Sequence, residues 1–167
     1  MSIWWSLHLR REAASVPLAR RLLLGAMETA GVDPDISFDL SVALTEACAN
    51  AVEHGGGQGD HRDHGGHGGA SGGGARAVGV PDGTEAYHVT AYLDGDRCRI
   101  EVTDSGPGFP PATVSRRRPS LAEHGRGLGL IAELSDHVRL RNRPGRGAVV
   151  SFDKMLKWRG DALLKVS

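Results

Sequence analysis

The chain has 167 residues, enough for one domain with a single sizeable core. Twenty Lys and Arg balance twenty Asp and Glu, and this zero formal net charge argues against wholesale electrostatic attraction to nucleic acid or an anionic membrane. No apolar stretch reaches the ~20 residues of a membrane span, and the basic pair Arg10-Arg11 follows the apolar residues of the start, the wrong layout for a signal peptide, so a cytoplasmic location is expected.

In chain order, Ile3, Trp5, Leu7 and Leu9 alternate with Trp4, Ser6, His8 and Arg10 and predict a half-buried strand, with Trp4 and Trp5 on opposite faces, one of them in the core. Ser15 is placed to cap a first helix with Pro17 in its first turn; Leu18, Leu22 and Ala26 continue one face until Gly31. A second helix starts near Pro34-Asp35 and carries Leu40, Leu44, Ala47 and Ala51 as an apolar stripe. Residues from about 55 to 76 are dominated by glycine and histidine and hold almost nothing that can pack, which predicts a mobile insert. Tyr87 to Leu93 and Cys98 to Val102 alternate around Asp94-Gly95-Asp96 and predict a hairpin. Residues 107–123, with Pro110, Pro111, Pro119 and Arg116-Arg117-Arg118, read as a long surface loop. Leu130, Ile131 and Leu134 suggest a short helix beginning near Leu128, and Val138, Leu140, Val150 and Phe152 a second hairpin about Pro144–Gly147. This order predicts an α+β two-layer sandwich, with helices on one face of a mixed, mostly antiparallel sheet. Residues 1–154 form its single domain; the tail 155–167 is either a short basic helix or frayed. Cys48 and Cys98 fall in a helix and a strand without metal-ligand spacing, so two reduced, buried thiols are expected.

Three segments carry chemistry. Glu46 and Asn50 stand one turn apart on the second helix, ~6 Å from each other, about a quarter-turn from the apolar stripe. A carboxamide oxygen suits Mg²⁺ and a carboxylate can orient or deprotonate a nucleophile, although an ordinary solvated face holds the same residue types. Asp104-Ser105-Gly106-Pro107-Gly108-Phe109 follows a strand end; its acid can accept a hydrogen bond from an exocyclic amine, and the segment reads equally as a strand-terminating turn. Gly125-Arg126-Gly127-Leu128-Gly129-Leu130 precedes a helix whose N–H groups can hold an anion, with Arg126 as a further phosphate contact. That run is a weak signal alone. It is not the dinucleotide fingerprint, and the chain has no P-loop.

Taken together and in this order, the three segments resemble the ATP-binding fold shared by gyrase, sensor histidine kinases, heat-shock chaperones and mismatch-repair ATPases. Within it the chain is most similar to the bacterial anti-sigma-factor serine/threonine protein kinases. Glu46 to Gly55 resembles that family's N box, Asp104 to Phe109 its first glycine box and Gly125 to Leu130 its second. The resemblance runs from about Leu7 to Lys154. It implies Asn50 as the Mg²⁺ ligand, Glu46 as the catalytic base and Asp104 as the adenine-reading acid. Gly106, Gly108 and Phe109 would shape the adenine pocket, while Gly125, Arg126, Gly127, Leu128 and Gly129 would hold the phosphates of ATP. The ATP site would lie between the helix and a lid formed by Pro110 to His124. The implied protein is an anti-sigma factor that sequesters a sigma factor of RNA polymerase. It would also phosphorylate a serine or threonine of an anti-anti-sigma partner of the STAS type, and would form a homodimer through the first strand. Two departures stand out: Ala148 follows Gly147 where the family usually has threonine, at a cost of about 1 kcal/mol if that hydroxyl bond is normally made, and the glycine/histidine insert is unusually long.

His61, His64 and His67 recur every third residue, but the intervening glycines make a disordered insert the better reading than a native metal site. Rival functions are an ATP-binding regulatory module that sequesters its partner without phosphotransfer and the catalytic module of a sensor histidine kinase. A degenerate pseudo-enzyme whose insert handles metal is a third. The stretch before Glu46 is too short for the helical hairpin that a histidine kinase needs.

Overall fold

Trp5, Leu7 and Leu9 face the interior from a first strand while Trp4 stays 68% exposed, which separates the two tryptophans onto opposite faces. In the computed structural model, residues 2–54, 86–106, 108–109, 126–143 and 147–160 are described. The insert at 55–76 with His61, His64 and His67 lies outside the described residues. So do the loop 110–124 with its arginine triplet, Gly125, and residues 161–167.

The elements are β1 (Ser2–Arg10), α1 (Ser15–Ala30), α2 (Pro34–His54), β2 (Ala86–Asp94), β3 (Arg97–Asp104), α3 (Arg126–Leu134), β4 (His137–Arg143) and β5 (Gly147–Met155). The strands form a sheet in the order β1-β2-β3-β5-β4, and each pairing is antiparallel. Both expected hairpins are present: β2–β3 turns at Gly95, which takes a left-handed φ of 56°, and β4–β5 pairs His137 with Asp153 through Arg143 with Gly147. Alternation decides the faces. Tyr87, Val89, Ala91 and Leu93 of β2, and Cys98, Ile100 and Val102 of β3, are buried against the helices. The opposite face carries Tyr92, Arg99, Glu101 and Arg141, with the Arg99 guanidinium 4.8 Å above the Tyr92 ring and Arg141 3.5 Å from Glu101. The α+β sandwich expected from the sequence is the architecture observed.

α2 is the central helix. Asp33 caps it by accepting the Asp35 N–H at 2.9 Å, Pro34 needs no donor in the first turn, and Leu40, Leu44, Ala47 and Ala51 are buried as the stripe requires. α1 departs from expectation. Its buried stripe is Ala19, Leu23, Met27 and Ala30, whereas Leu18 and Leu22 are 46% and 44% exposed. Both sets have helical spacing. Packing against α2 selects the one led by the smaller Ala19. Ser15 is also not the cap; Ala14 holds that position without a side-chain bond, and Ser15 Oγ instead donates to the Glu12 carbonyl at 2.7 Å and shares a 2.6 Å bond with Tyr87 Oη. Gly31, at φ 86°, ends α1 with its N–H on the Met27 and Glu28 carbonyls.

α3 begins earlier than Leu128. Gly127 and Gly129 therefore lie inside its first turns rather than ahead of it, because Leu128 and Ile131 are drawn into the core from a helix already formed at Arg126. Beyond β5, residues 156–160 are neither helical nor frayed. Leu156 is buried, Val32 and Trp158 form a bridge, and Trp158 Nε1 donates to Asp96 Oδ1 at 2.8 Å. Cys48 and Cys98 are free and buried, and burial pushes both thiols up to about 12.

Candidate functional site

The α2 helix presents Glu46 and Asn50 on its half-buried flank, one turn apart, while Ala47, Cys48 and Ala51 lock the opposite flank into the core. Neither the Glu46 carboxylate nor the Asn50 carboxamide makes a hydrogen bond or ion pair to any described residue. What faces them is the first turn of α3. A Cβ added at Gly127 would stand 3.0 Å from Glu46 Oε2 and 3.5 Å from both Nδ2 and Oδ1 of Asn50. Glycine thus lets the α3 backbone lie against this polar pair. The N–H groups of a helix's first turn lack helical partners and carry the positive end of its dipole. A carboxylate, a carboxamide and a helix N-terminus consequently converge on one point.

A second cluster sits at the far end of β3. The Asp104 side chain is half-buried on the helix-facing side, and its Oδ1 accepts two backbone N–H groups, from Gly106 at 2.9 Å and Ala148 at 3.2 Å. The second oxygen is left to accept a donor from elsewhere. Gly147, at φ 96°, makes this possible: a Cβ there would overlap the Asp104 carbonyl and come within 2.7 Å of the Gly106 nitrogen. Gly106 is buried beneath the same turn. Gly108, at φ 86°, and Phe109 follow, and Phe109 packs against the core. Asn142 near the end of β4 grips Phe109 from both sides, accepting its N–H and donating to its carbonyl, each at 2.7 Å.

Tyr87 connects the clusters. It stands directly opposite Asp104 in the β2–β3 register, on the same face. Its hydroxyl meets Ser15 and the thiol of Cys48, which lies between Glu46 and Asn50 on α2. Burial pushes the Tyr87 phenol up to about 12, opposed by its bond to Ser15 and reinforced by the nearby Cys48, so the link is neutral at physiological pH. The structure therefore brings Glu46, Asn50 and Gly127 together, and separately Asp104, Gly106, Gly108 and Phe109. Leu128 is buried as an anchor of α3 and Gly129 is buried beside it; Arg126 is the first residue of that helix. Gly125 lies outside the described residues.

Asn142 and Tyr87 were missed by reading the sequence. Asn142 sits two residues before Pro144-Gly145, where asparagine reads as a turn former, and its partner is 33 positions away. Tyr87 reads as an ordinary inward strand residue.

The family described as Histidine kinase-like ATPase domain matches residues 9–154. Among curated relatives, an anti-sigma F factor from Pasteuria penetrans is 26% identical over 77% of this chain and 75% of its own length. The serine-protein kinases RsbW of Bacillus subtilis (strain 168) and Bacillus pumilus (strain SAFR-032) are each 29% identical. They cover 78% and 84% of this chain and 72% and 78% of their own lengths. Among solved structures, the RsbU and RsbW domains of a Mycobacterium tuberculosis protein align over 91% of this chain with a TM-score of 0.57 at 20% identity. The match spans about a third of that longer chain, 32%, and speaks for the fold.

Proposed function

The chain belongs to the histidine kinase-like ATPase domain family, and on that premise we propose that it is an ATP- and Mg²⁺-dependent serine/threonine protein kinase that doubles as an anti-sigma factor. Names of its relatives, an anti-sigma F factor and two serine-protein kinases, support both halves of the reading. The observation that carries it is the approach of Gly127, in the first turn of α3, to Glu46 and Asn50, which have no hydrogen-bond partner among the described residues; a helix N-terminus beside such a pair supports a phosphate site.

The donor set fits a Mg²⁺ that carries phosphate oxygens and water, since Asn50 offers one neutral oxygen ligand and glycine at 127 sets no side chain against it. Bound Mg²⁺–ATP would supply the γ-phosphoryl group, with ADP as the leaving group. Glu46 would accept the proton of the attacking serine or threonine hydroxyl, whose oxygen bonds to the γ-phosphorus as the bond to the ADP oxygen breaks. The α3 N–H groups and the run Gly125 to Gly129, with Arg126, would hold the phosphates. Asp104, with Oδ1 held by two amides, would offer its other oxygen to the amino group of adenine, with Gly106, Gly108 and Phe109 shaping the pocket.

The phosphoacceptor would be an anti-anti-sigma protein of the STAS type, and the sequestered partner a sigma factor of RNA polymerase, in the cytoplasm. Among the described residues no helix is long and apolar enough to cross a membrane. Exposed Trp4 and Ile3 on the edge strand β1 support pairing of two copies through this strand. A second reading, sequestration without phosphotransfer, rests on Ala148: it is buried beside Asp104 and supplies only its N–H there, with no hydroxyl. The deciding experiment measures transfer of the γ-phosphate to a STAS-type substrate with Glu46→Ala as control. Transfer by wild type and none by the variant is expected; ATP binding with equal transfer by both would remove the kinase.

A further inference from the structure

Resting on the nucleotide reading of this site, we propose that Asn142 is a positioning residue for ATP: its carboxamide acts as a substitute strand partner that fixes Gly108–Phe109, and through them the wall of the base pocket. A carboxamide offers one donor and one acceptor at nearly the spacing of a peptide group. Asn142 uses both on a single residue, with Oδ1 accepting the Phe109 N–H and Nδ2 donating to the Phe109 carbonyl, each at 2.7 Å. Exchanging the two ends of the amide would face donor with donor and acceptor with acceptor, so the network itself sets the orientation.

Gly108 bears on the same clamp independently. Its φ of 86° excludes most side chains, and a Cβ there would stand 2.6 Å from Asn142 Oδ1, so the carboxamide occupies the space that a larger residue 108 would need. Asn142 is also opposite Ala148 in the β4–β5 register, and the Ala148 N–H is one of the two donors on Asp104. One row across β3, β5 and β4 therefore holds both the acid and the segment that follows it. Ala148 brings no hydroxyl here, while Asp104 and Asn142 each hold the backbone of this turn through a side chain. Phe109 is held at two points, by its partly buried ring packed against the core and by its backbone on Asn142, which restrains Gly108 beside it.

The test compares wild type, Asn142→Ala and Asn142→Asp in the full chain. ATP binding is titrated directly, KM and kcat are measured with the protein substrate, and amide hydrogen exchange at Phe109 is followed without nucleotide. Asn142→Ala is expected to raise Kd and KM for ATP about tenfold, with kcat within about twofold and faster exchange at Phe109. Asn142→Asp keeps the volume and the acceptor for the N–H but turns an oxygen on the carbonyl, and should weaken ATP binding as well. Adding Gly108→Ala should cost less ATP affinity in the Asn142→Ala background than in wild type, a coupling that a remote stabilising role would not produce. If wild type binds ATP and both Asn142 variants bind within twofold of it, the inference is wrong. A loss of affinity in Asn142→Ala that merely follows unfolding, with Asn142→Asp folded and unaffected, overturns it too. If wild type itself fails to bind ATP, the nucleotide reading falls and the positioning role with it, an outcome distinct from binding without sensitivity to residue 142.

Discussion

The two halves of the site solve opposite problems. At the α2–α3 junction, Glu46 and Asn50 have no hydrogen-bond partner among the described residues, and the α3 backbone lies so close to them that a Cβ at residue 127 would crowd the Glu46 carboxylate. At the end of the sheet, Asp104 is held by two backbone amides and Phe109 by both ends of Asn142. The first half is polar chemistry kept available; the second is polar chemistry already satisfied and thereby rigid. An acid that must take a proton needs uncommitted lone pairs, whereas one that must recognise a fixed donor gains from being immobile. The same residue type is ambiguous in sequence, and its surroundings separate the roles.

Substitutions should divide along this line. The largest effect is expected from Glu46→Gln, which keeps shape but removes the base: phosphotransfer should fall by about 10²–10⁴-fold while ATP affinity changes little, as single-turnover kinetics and equilibrium binding will show. Gly147→Ala should damage the rigid half through the fold itself, because the new Cβ meets the Asp104–Gly106 backbone at a left-handed φ; a loss of about 3 kcal/mol in denaturant unfolding is expected. Asp104→Ala strands the N–H groups of Gly106 and Ala148 and should cost about 1–3 kcal/mol, along with ATP binding. Should Asp104→Ala keep full ATP affinity, the assignment of base recognition to the sheet end fails.

Gly127→Ala is the sharpest test of the contrast. Alanine favours the helix over glycine by up to about 1 kcal/mol, so the protein should be as stable as wild type or more so. Yet its methyl stands 3.0 Å from Glu46 Oε2, and ATP binding and transfer should fall. A variant that is both stable and fully active would mean that the space beside Glu46 is not used. The smallest effect concerns the buried thiols. Cys48 and Cys98 keep their protons in the fold up to about 12 but lose them on unfolding nearer 9. The folded state therefore binds more protons above pH 9, and stability should decline as pH rises through that range, by about 1–2 kcal/mol between pH 8 and 9.5. Substituting both cysteines with alanine should flatten that slope in pH-dependent unfolding.

Much of this arrangement was legible in the chain. Strand alternation in Tyr87–Leu93 and Cys98–Val102 depends only on which side chains avoid water, and both strands form with those residues buried. The α2 stripe was equally clear because its apolar residues admit one face. On α1 two stripes competed, Leu18–Leu22 and Ala19–Leu23, and no rule of spacing could choose between them. Packing against α2 chose the second. The start of α3 was placed late because glycines normally discourage a helix, a local preference outweighed once Leu128 and Ile131 enter the core.

The sequence by itself determined the α+β layering, the pairing of Glu46 with Asn50 on one helix flank, and the acid at the end of β3. Each follows from periodicity along a single element, so neighbouring residues contain all the information required. Only the tertiary structure decided that Gly127 lies over Glu46, that Ala148 and Gly106 share Asp104 Oδ1, that Tyr87 joins α2 to the sheet end, and that Asn142 grips Phe109. Those contacts join residues dozens of positions apart. They arise from the register of β3, β5 and β4 and from the depth at which α2 and α3 settle, quantities fixed by the packing of the whole core.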